Sequence, residues 1–261
     1  AMHALARTLV GIAAAACGAA AHATEAYPAR PLRMLVPFAA GGAIDLMARP
    51  VGRKLHELLG QPVVVENRTG AGGSIAAEAT AKSAPDGYTL FFGSTSPLAI
   101  NPVYFDKVGY DSLRDFTPIS LTVKQPLIIV AHPSLPARTV QDVVALAKRQ
   151  PGKLGYGSAG PGTSNHLVGE LLAHAAGIDI LHVPYKGGAP ALAALLGGEI
   201  ELQVSQPNTM MPYVKTGRVR ALAPTGAKRL PQLPQVGTLV EAGYPDLDIV
   251  GWYCIVGPAR M

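Results

Sequence analysis

The sequence predicts an α/β chain folded as two lobes, each a largely parallel sheet covered by helices. β-type apolar runs alternate with helical runs over most of the length, the pattern of parallel strands joined by crossover helices. Three times a short strand passes through a glycine-rich turn into a helix, at residues 35–45, 156–166 and 183–190. Two extended segments far apart in sequence, residues 121–131 and 252–256, suit the crossings of a strand hinge between lobes.

Taken in order, Arg7 precedes an apolar stretch at residues 9–17 and an Ala21-His22-Ala23 site, which together read as a secretory signal peptide cleaved after Ala23. Lipid anchoring at Cys17 fits less well, because no leucine stands three residues before it. No other window is apolar enough to span a bilayer, so residues 24–261 are expected to be exported and soluble. Residues 32–38 read as the first strand. Residues 43–59 follow as a helix, with Leu46, Met47, Val51 and Leu55 on its apolar face and Pro50 inside it. A strand at 61–67, the turn 69–73, an alanine-rich helix at 74–82 and a strand at 89–93 complete a βαβαβ unit. Beyond the first crossing come helices at 139–149, 166–176 and 189–196 and strands at 154–157, 180–184, 200–204 and 219–224, enough for a second lobe. The expected division is residues 24–122 plus 252–261 for lobe one and 123–251 for lobe two.

The apolar fraction of 49% supports a globular chain with real cores. The net charge is +5, but the basic residues are scattered and aromatics make up only 6%, so no basic, aromatic-laced stripe for nucleic acid is present. Once Cys17 leaves with the signal, Cys254 stands alone between Tyr253 and Ile255 and reads as a buried apolar residue. The seven histidines are dispersed, with no C-x-x-C or H-E-x-x-H pattern to hold a metal, and no cofactor is implied.

The chemistry lies in the glycine turns. Each presents unpaired backbone N–H groups and a positive helix end at the carboxyl edge of a sheet, which is where an anion is held most cheaply. Gly41 and Gly42 allow an oxygen to approach closely, whereas Asp45, in the first turn of the next helix, reads as an offset to the dipole. Ser94, Thr95 and Ser96 follow a strand end, and their hydroxyls can donate into a cleft. From the other lobe, Ser158, Ala159, Gly160 and Thr163 form an opposing cradle, with His166 one turn into the helix and Tyr185 and Lys186 after the next strand. An enzyme fits poorly: Ser94, His166 and Asp45 make a hydrolase triad only on paper, with no G-x-S-x-G elbow, and no phosphate-loop spacing occurs. A sensory ligand-binding module is the alternative that the soluble part alone leaves open.

The strings VPFAAGGAIDLMAR (36–49), GQPVVVENRTGAGGSIAAE (60–78), PDGYTLFFGS (85–94), INP (100–102), GYGSAGPGTSNHLVGEL (155–171) and HVPYKGGAPALAALLGGEIEL (182–202) resemble the periplasmic receptors of tripartite tricarboxylate transporters, the Bug-type solute-binding proteins. The resemblance runs in order along nearly the whole exported chain. It implies a type II periplasmic binding protein fold, no catalysis, and a monomer that captures a small organic acid for membrane transporter subunits. It further implies that carboxylates are held by loop amides, short polar side chains and waters, which adds Phe38, Ala39 and Gln206 to the expected ligand set. Two departures stand out. Ser205-Gln206-Pro207-Asn208 occupies the place where the family commonly has an Asp-Asn pair, and with the chain ending at Met261 the first lobe is expected to lack the helices that return to cover it.

Overall fold

The computed structural model describes residues 26–261, so the expected signal segment lies outside the described residues. The first half runs β1 (Leu32–Val36), α1 (Ala43–Leu59), β2 (Val63–Asn67), α2 (Ser74–Ala81) and β3 (Thr89–Ser94). A π-helical turn at Ser96–Ile100 and the short α3 (Asn101–Tyr104) then lead to β4 (Phe116–Pro126). The second half holds β5 (Ile128–Ala131), α4 (Val140–Arg149), β6 (Gly155–Ser158), α5 (Ser164–Ala176) and β7 (Leu181–Pro184). It continues with α6 (Gly188–Gly197), β8 (Leu202–Ser205), α7 (Pro207–Lys215) and β9 (Arg220–Pro224), after which β10 (Val250–Pro258) returns to the first sheet.

The two five-stranded sheets share one plan. Their orders are β2-β1-β3-β10-β4 and β7-β6-β8-β5-β9. The three strands joined through helices run parallel, and one reversed strand separates them from the outer strand. The reversed strands, β10 and β5, are the ones that arrive from the other half. They come without a crossover helix and are free to run antiparallel, so the largely parallel sheets of the sequence expectation each carry one antiparallel member.

Side-chain alternation builds a core on each face of the first sheet. Met34, Val36, Phe92 and Ile255 pack with Ile44 and Ala48 of α1, while Leu35, Phe91, Cys254 and Val256 pack with Ala76 and Ala77 of α2. In the second sheet Ile129, Ala131, Leu202 and Val204 face α4 and α5, and Ile128 and Val130 turn towards α6 and α7. Burial pushes the Cys254 thiol up to about 11, in keeping with an inert packing residue.

One helical face needs correction. Ile44, Met47, Ala48, Val51, Leu55 and Leu59 form the inner stripe of α1, whereas Leu46 is 48% exposed. At about 100° per residue, position 46 lies some 200° round from Ile44 and points outward. Pro50 sits on the exposed side too, so the carbonyl it leaves unbonded lies towards water and the helix runs on to Leu59. Helix α7, absent from the sequence expectation, starts with Pro207 in its first turn.

The chain passes between sheets twice, at Leu127 and at Ile249–Val250. Thr225, fully buried after β9, ties the passages together: its Oγ1 accepts the Leu127 N–H at 2.8 Å and donates to the Ile249 carbonyl at 2.6 Å. The halves also touch through glycine. Gly72 has φ +60°, and a Cβ there would lie 2.8 Å from the Pro161 carbonyl oxygen of the other half.

Candidate functional site

Loops that follow the carboxyl ends of strands in both sheets meet around a cavity of about 30 Å³, room for about two water molecules. Phe38, Gly42, Ala43 and Ile44 come from the β1–α1 turn and Ser94, Thr95 and Ser96 from the end of β3. The opposite side is made by Ala159, Ser164 and Asn165 before and within α5, Gly188 opening α6 and Gln206 capping α7. Leu127, Gly251, Trp252 and Tyr253 close the floor from the crossing strands.

Four helices therefore start at this one cavity, one from the first half and three from the second. The first-turn N–H groups of a helix have no acceptor within it, and the positive ends of the dipoles converge here. No charged side chain lines the cavity among the described residues. Polar contact comes instead from neutral groups. The Ser94 hydroxyl is buried, with no hydrogen-bond partner among the described residues. Gln206 Nε2 lies 3.4 Å from Asn165 Oδ1, and Asn165 Nδ2 donates to the Val204 carbonyl at 2.7 Å. Tyr253 OH accepts from Gln125 Nε2 at 3.5 Å with Gln206 beside it, and burial pushes its phenol up to about 12, so it stays protonated. Thr95 Oγ1 is held by β10, accepting the Trp252 N–H at 3.0 Å.

Of the residues expected from sequence, Phe38, Gly42, Ser94, Thr95, Ser96, Ala159 and Gln206 line the cavity. Ala39, Gly41, Ser158, Gly160, Thr163, His166, Tyr185 and Lys186 stand behind or beside it. Thr163 caps α5, its Oγ1 accepting the His166 N–H and donating to the Gly160 carbonyl at 2.6 Å. Ser158 Oγ accepts the Gly160 N–H at 3.0 Å and meets His182 Nε2 at 2.6 Å. His166 is sandwiched, its ring 4.2 Å from that of His182 and edge-on to Tyr104 at 5.7 Å. Tyr185 packs against the core of the second half, and Lys186 is exposed. Trp252 and Tyr253, which the sequence marks only as part of a crossing strand, also line the cavity. Ser164 and Asn165 adjoin the glycine turn, and their place at the very start of α5 was the signal that could have found them.

Asp45 underpins the first-half turn without entering the cavity. Burial opposes its ionisation, but hydrogen bonds from Arg49, the Gly41 N–H and Asn67 outweigh it and hold the carboxyl below its ordinary range. Oδ2 accepts from Gly41 N and Arg49 Nε, each at 2.9 Å, and Oδ1 from Arg49 Nη2 at 2.8 Å and Asn67 Nδ2 at 3.0 Å. Asn67 Nδ2 also donates to the Phe38 carbonyl at 2.8 Å, which fixes the turn bearing Phe38 and Gly42.

A protein-family model described as the tripartite tricarboxylate transporter family receptor (TctC) matches residues 47–261. The protein BugT of Bordetella pertussis is 39% identical over 252 residues, 96% of this chain and 77% of BugT. Among solved structures, R. palustris Rpa4515 with adipate is 37% identical at TM-score 0.86, the match covering 89% of this chain and 78% of that one. MatC from Rhodopseudomonas palustris with bound malate is 32% identical at TM-score 0.86, covering 90% of this chain and 80% of that one. These likenesses identify the two-sheet α/β architecture as that of the periplasmic binding proteins, and the chain belongs to the tripartite tricarboxylate transporter receptor family.

Proposed function

We propose that this chain is a periplasmic receptor that captures a small di- or tricarboxylate in the cavity between its sheets and delivers it to the membrane subunits of a tripartite transporter. The observation that carries the proposal is the convergence of four helix N-termini and the unpartnered Ser94 hydroxyl on a cavity with no charged wall. Amide dipoles and neutral donors stabilise a carboxylate there without a fixed cation. The adipate and malate bound by Rpa4515 and MatC support this class of guest. The first half, which takes in β4 to Pro126 and β10 from Val250 and so runs past the expected bounds at 122 and 252, and the second half between them close on the guest about the paired crossings joined by Thr225. The receptor acts as a monomer and reaches the periplasm through the signal at residues 1–23. Among the described residues no acid–base pair lines the cavity, which favours capture over catalysis.

Calorimetric titration and thermal shift with adipate, malate and a panel of di- and tricarboxylates test the proposal. Saturable binding with a rise in melting temperature is expected. Absence of binding to every acid in the panel overturns it.

A further inference from the structure

The outer flank of α1 carries a surface that the cavity does not use. Leu46, Arg49, Arg53 and His56 follow one another at intervals of three or four residues, so they share the side of the helix on which Leu46 is exposed. With Val63 and Val65 they wall a groove of about 510 Å³ between α1 and β2, within the size range of built ligand pockets. Its charge is one-sided. Three of the lining side chains are basic and none is acidic. Arg49 is bound to Asp45, whereas Arg53 and His56 have no ion-pair partner among the described residues. The carboxylates nearby are already engaged, Glu57 by Lys54 and Glu66 by Arg33 and Arg68. The floor of the groove is a free strand edge. β2 is outermost in its sheet and pairs with β1 alone. The Pro62 carbonyl accepts the Leu32 N–H, and the Arg68 N–H donates to the Val36 carbonyl, each at 2.8 Å. Main-chain groups of a strand alternate in direction, so those of Val63 and Val65 turn away from β1 and are open to an added strand.

We infer that the α1–β2 groove docks an extended, acidic segment of the transporter's membrane subunits, which adds along the free edge of β2 and sets its carboxylates against Arg53 and His56. The inference rests on the receptor reading above and names the face that meets the transporter. An added strand supplies main-chain hydrogen bonds, and the groove selects its side chains by charge and by the apolar Leu46, Val63 and Val65. Lysine and arginine of membrane proteins gather in their cytoplasmic loops, which leaves acidic residues on the periplasmic side without close basic neighbours. An anionic lipid surface is flat and does not reach a strand edge at the foot of a groove. Arg49 also holds Asp45 beneath the cavity turn, so the test leaves it in place.

The test measures binding of the full chain, loaded with the acid it binds best, to nanodiscs that hold the transporter's membrane subunits and to protein-free nanodiscs of phosphatidylethanolamine and phosphatidylglycerol. Arg53→Glu is compared with Lys153→Glu, the same change of charge at an exposed site on the other half. The expected result is binding to the subunits that Arg53→Glu weakens at least about tenfold and Lys153→Glu less than about twofold, with carboxylate affinity equal in all three proteins. Amide hydrogen exchange at Val63 and Val65 is expected to slow in the complex. Equal binding by Arg53→Glu and the parent, or no slowing at the β2 edge, overturns the inference and leaves the carboxylate-receptor reading standing. So does equal binding to the protein-free nanodiscs, which assigns the contact to the lipid surface. If Arg53→Glu fails to fold by circular dichroism, His56→Glu replaces it under the same criteria. A parent that binds its acid but not the subunits overturns the inference together with the delivery step of the reading beneath it.

Discussion

The Ser96 hydroxyl accepts the backbone N–H of Ser164 at 3.1 Å. Ser96 follows β3 of the first sheet, and Ser164 is the first residue of α5 on the second. One side chain thus spans the cleft at its polar wall, and its Oγ also lies 3.4 Å from that of Ser164. The bond joins the two halves, so it contributes to their contact and not to the fold of either half.

Ser96→Ala therefore lowers ligand affinity while leaving each half intact. A neutral hydrogen bond contributes about 1 kcal/mol, which predicts a rise in Kd of about fivefold. Titration with the best acid of the panel checks this, and the ligand-free melting temperature is expected to stay within about 2 °C of the parent.

Ser94→Ala acts with opposite signs on the free and bound protein. Removing a buried hydroxyl that has no partner relieves an uncompensated polar group, so the free protein holds or gains stability. The complex loses a donor, and affinity drops about tenfold if the hydroxyl contacts a carboxylate. Paired melting curves with and without ligand display the crossing of these effects.

Gly42→Leu blocks the cleft without unfolding the chain. The backbone φ there is −77°, open to any L residue, and a Cβ meets the Ala39 carbonyl at a tight 3.2 Å, which the turn relieves by a shift of a few tenths of an ångström, and the Ala189 nitrogen at 3.9 Å. A larger side chain enters the cavity instead. Binding is expected to fall below detection, with circular dichroism unchanged.

Asp45→Asn destabilises the β1–α1 turn by about 2 kcal/mol at neutral pH, since it replaces a hydrogen-bonded carboxylate beneath the loop and leaves Arg49 without its counter-ion. Because the folded carboxyl titrates below its unfolded value, its contribution is complete above the ordinary aspartate range and is lost as pH falls through the folded pKa. The gap between parent and variant in urea denaturation is thus widest near pH 7 and closes in strong acid.

His182 makes stability fall in mild acid. Burial first, and then the charge of His166, push its pKa down to about 4 despite the pull of Glu170. The unfolded chain takes up this proton near pH 6.5 while the folded chain still resists it. Stability is therefore full above about pH 6.5 and declines as pH drops towards 4. Melting temperatures across that window are expected to slope less steeply in His182→Gln.

Element order, most helix bounds and the three glycine turns were legible in the sequence because each rests on local chemistry. The helix of residues 43–59 carries a regular stripe from Ile44 to Leu59, and Gly160, at φ +120°, holds a conformation that side chains resist. What escaped depends on direction and on distant partners. Sequence alone does not show that the Thr163 and Ser158 hydroxyls turn back onto their own loop, whereas the outward position of Leu46 follows from its offset of about 200° from Ile44. Trp252 and Tyr253 reach the cavity only because β10 crosses from the second half and pairs with β3, setting Tyr253 opposite Ser94. Helix α7 was hidden by Pro212 within nine residues.

A cavity with room for about two waters does not itself hold a di- or tricarboxylate, so on the proposed function the halves of a loaded receptor stand further apart around their guest than they do here. On that reading departure waits on the crossings joined by Thr225, and the lifetime of a loaded receptor becomes a property of how often the two halves part. A membrane subunit that pries them open would speed unloading without ever touching the cargo.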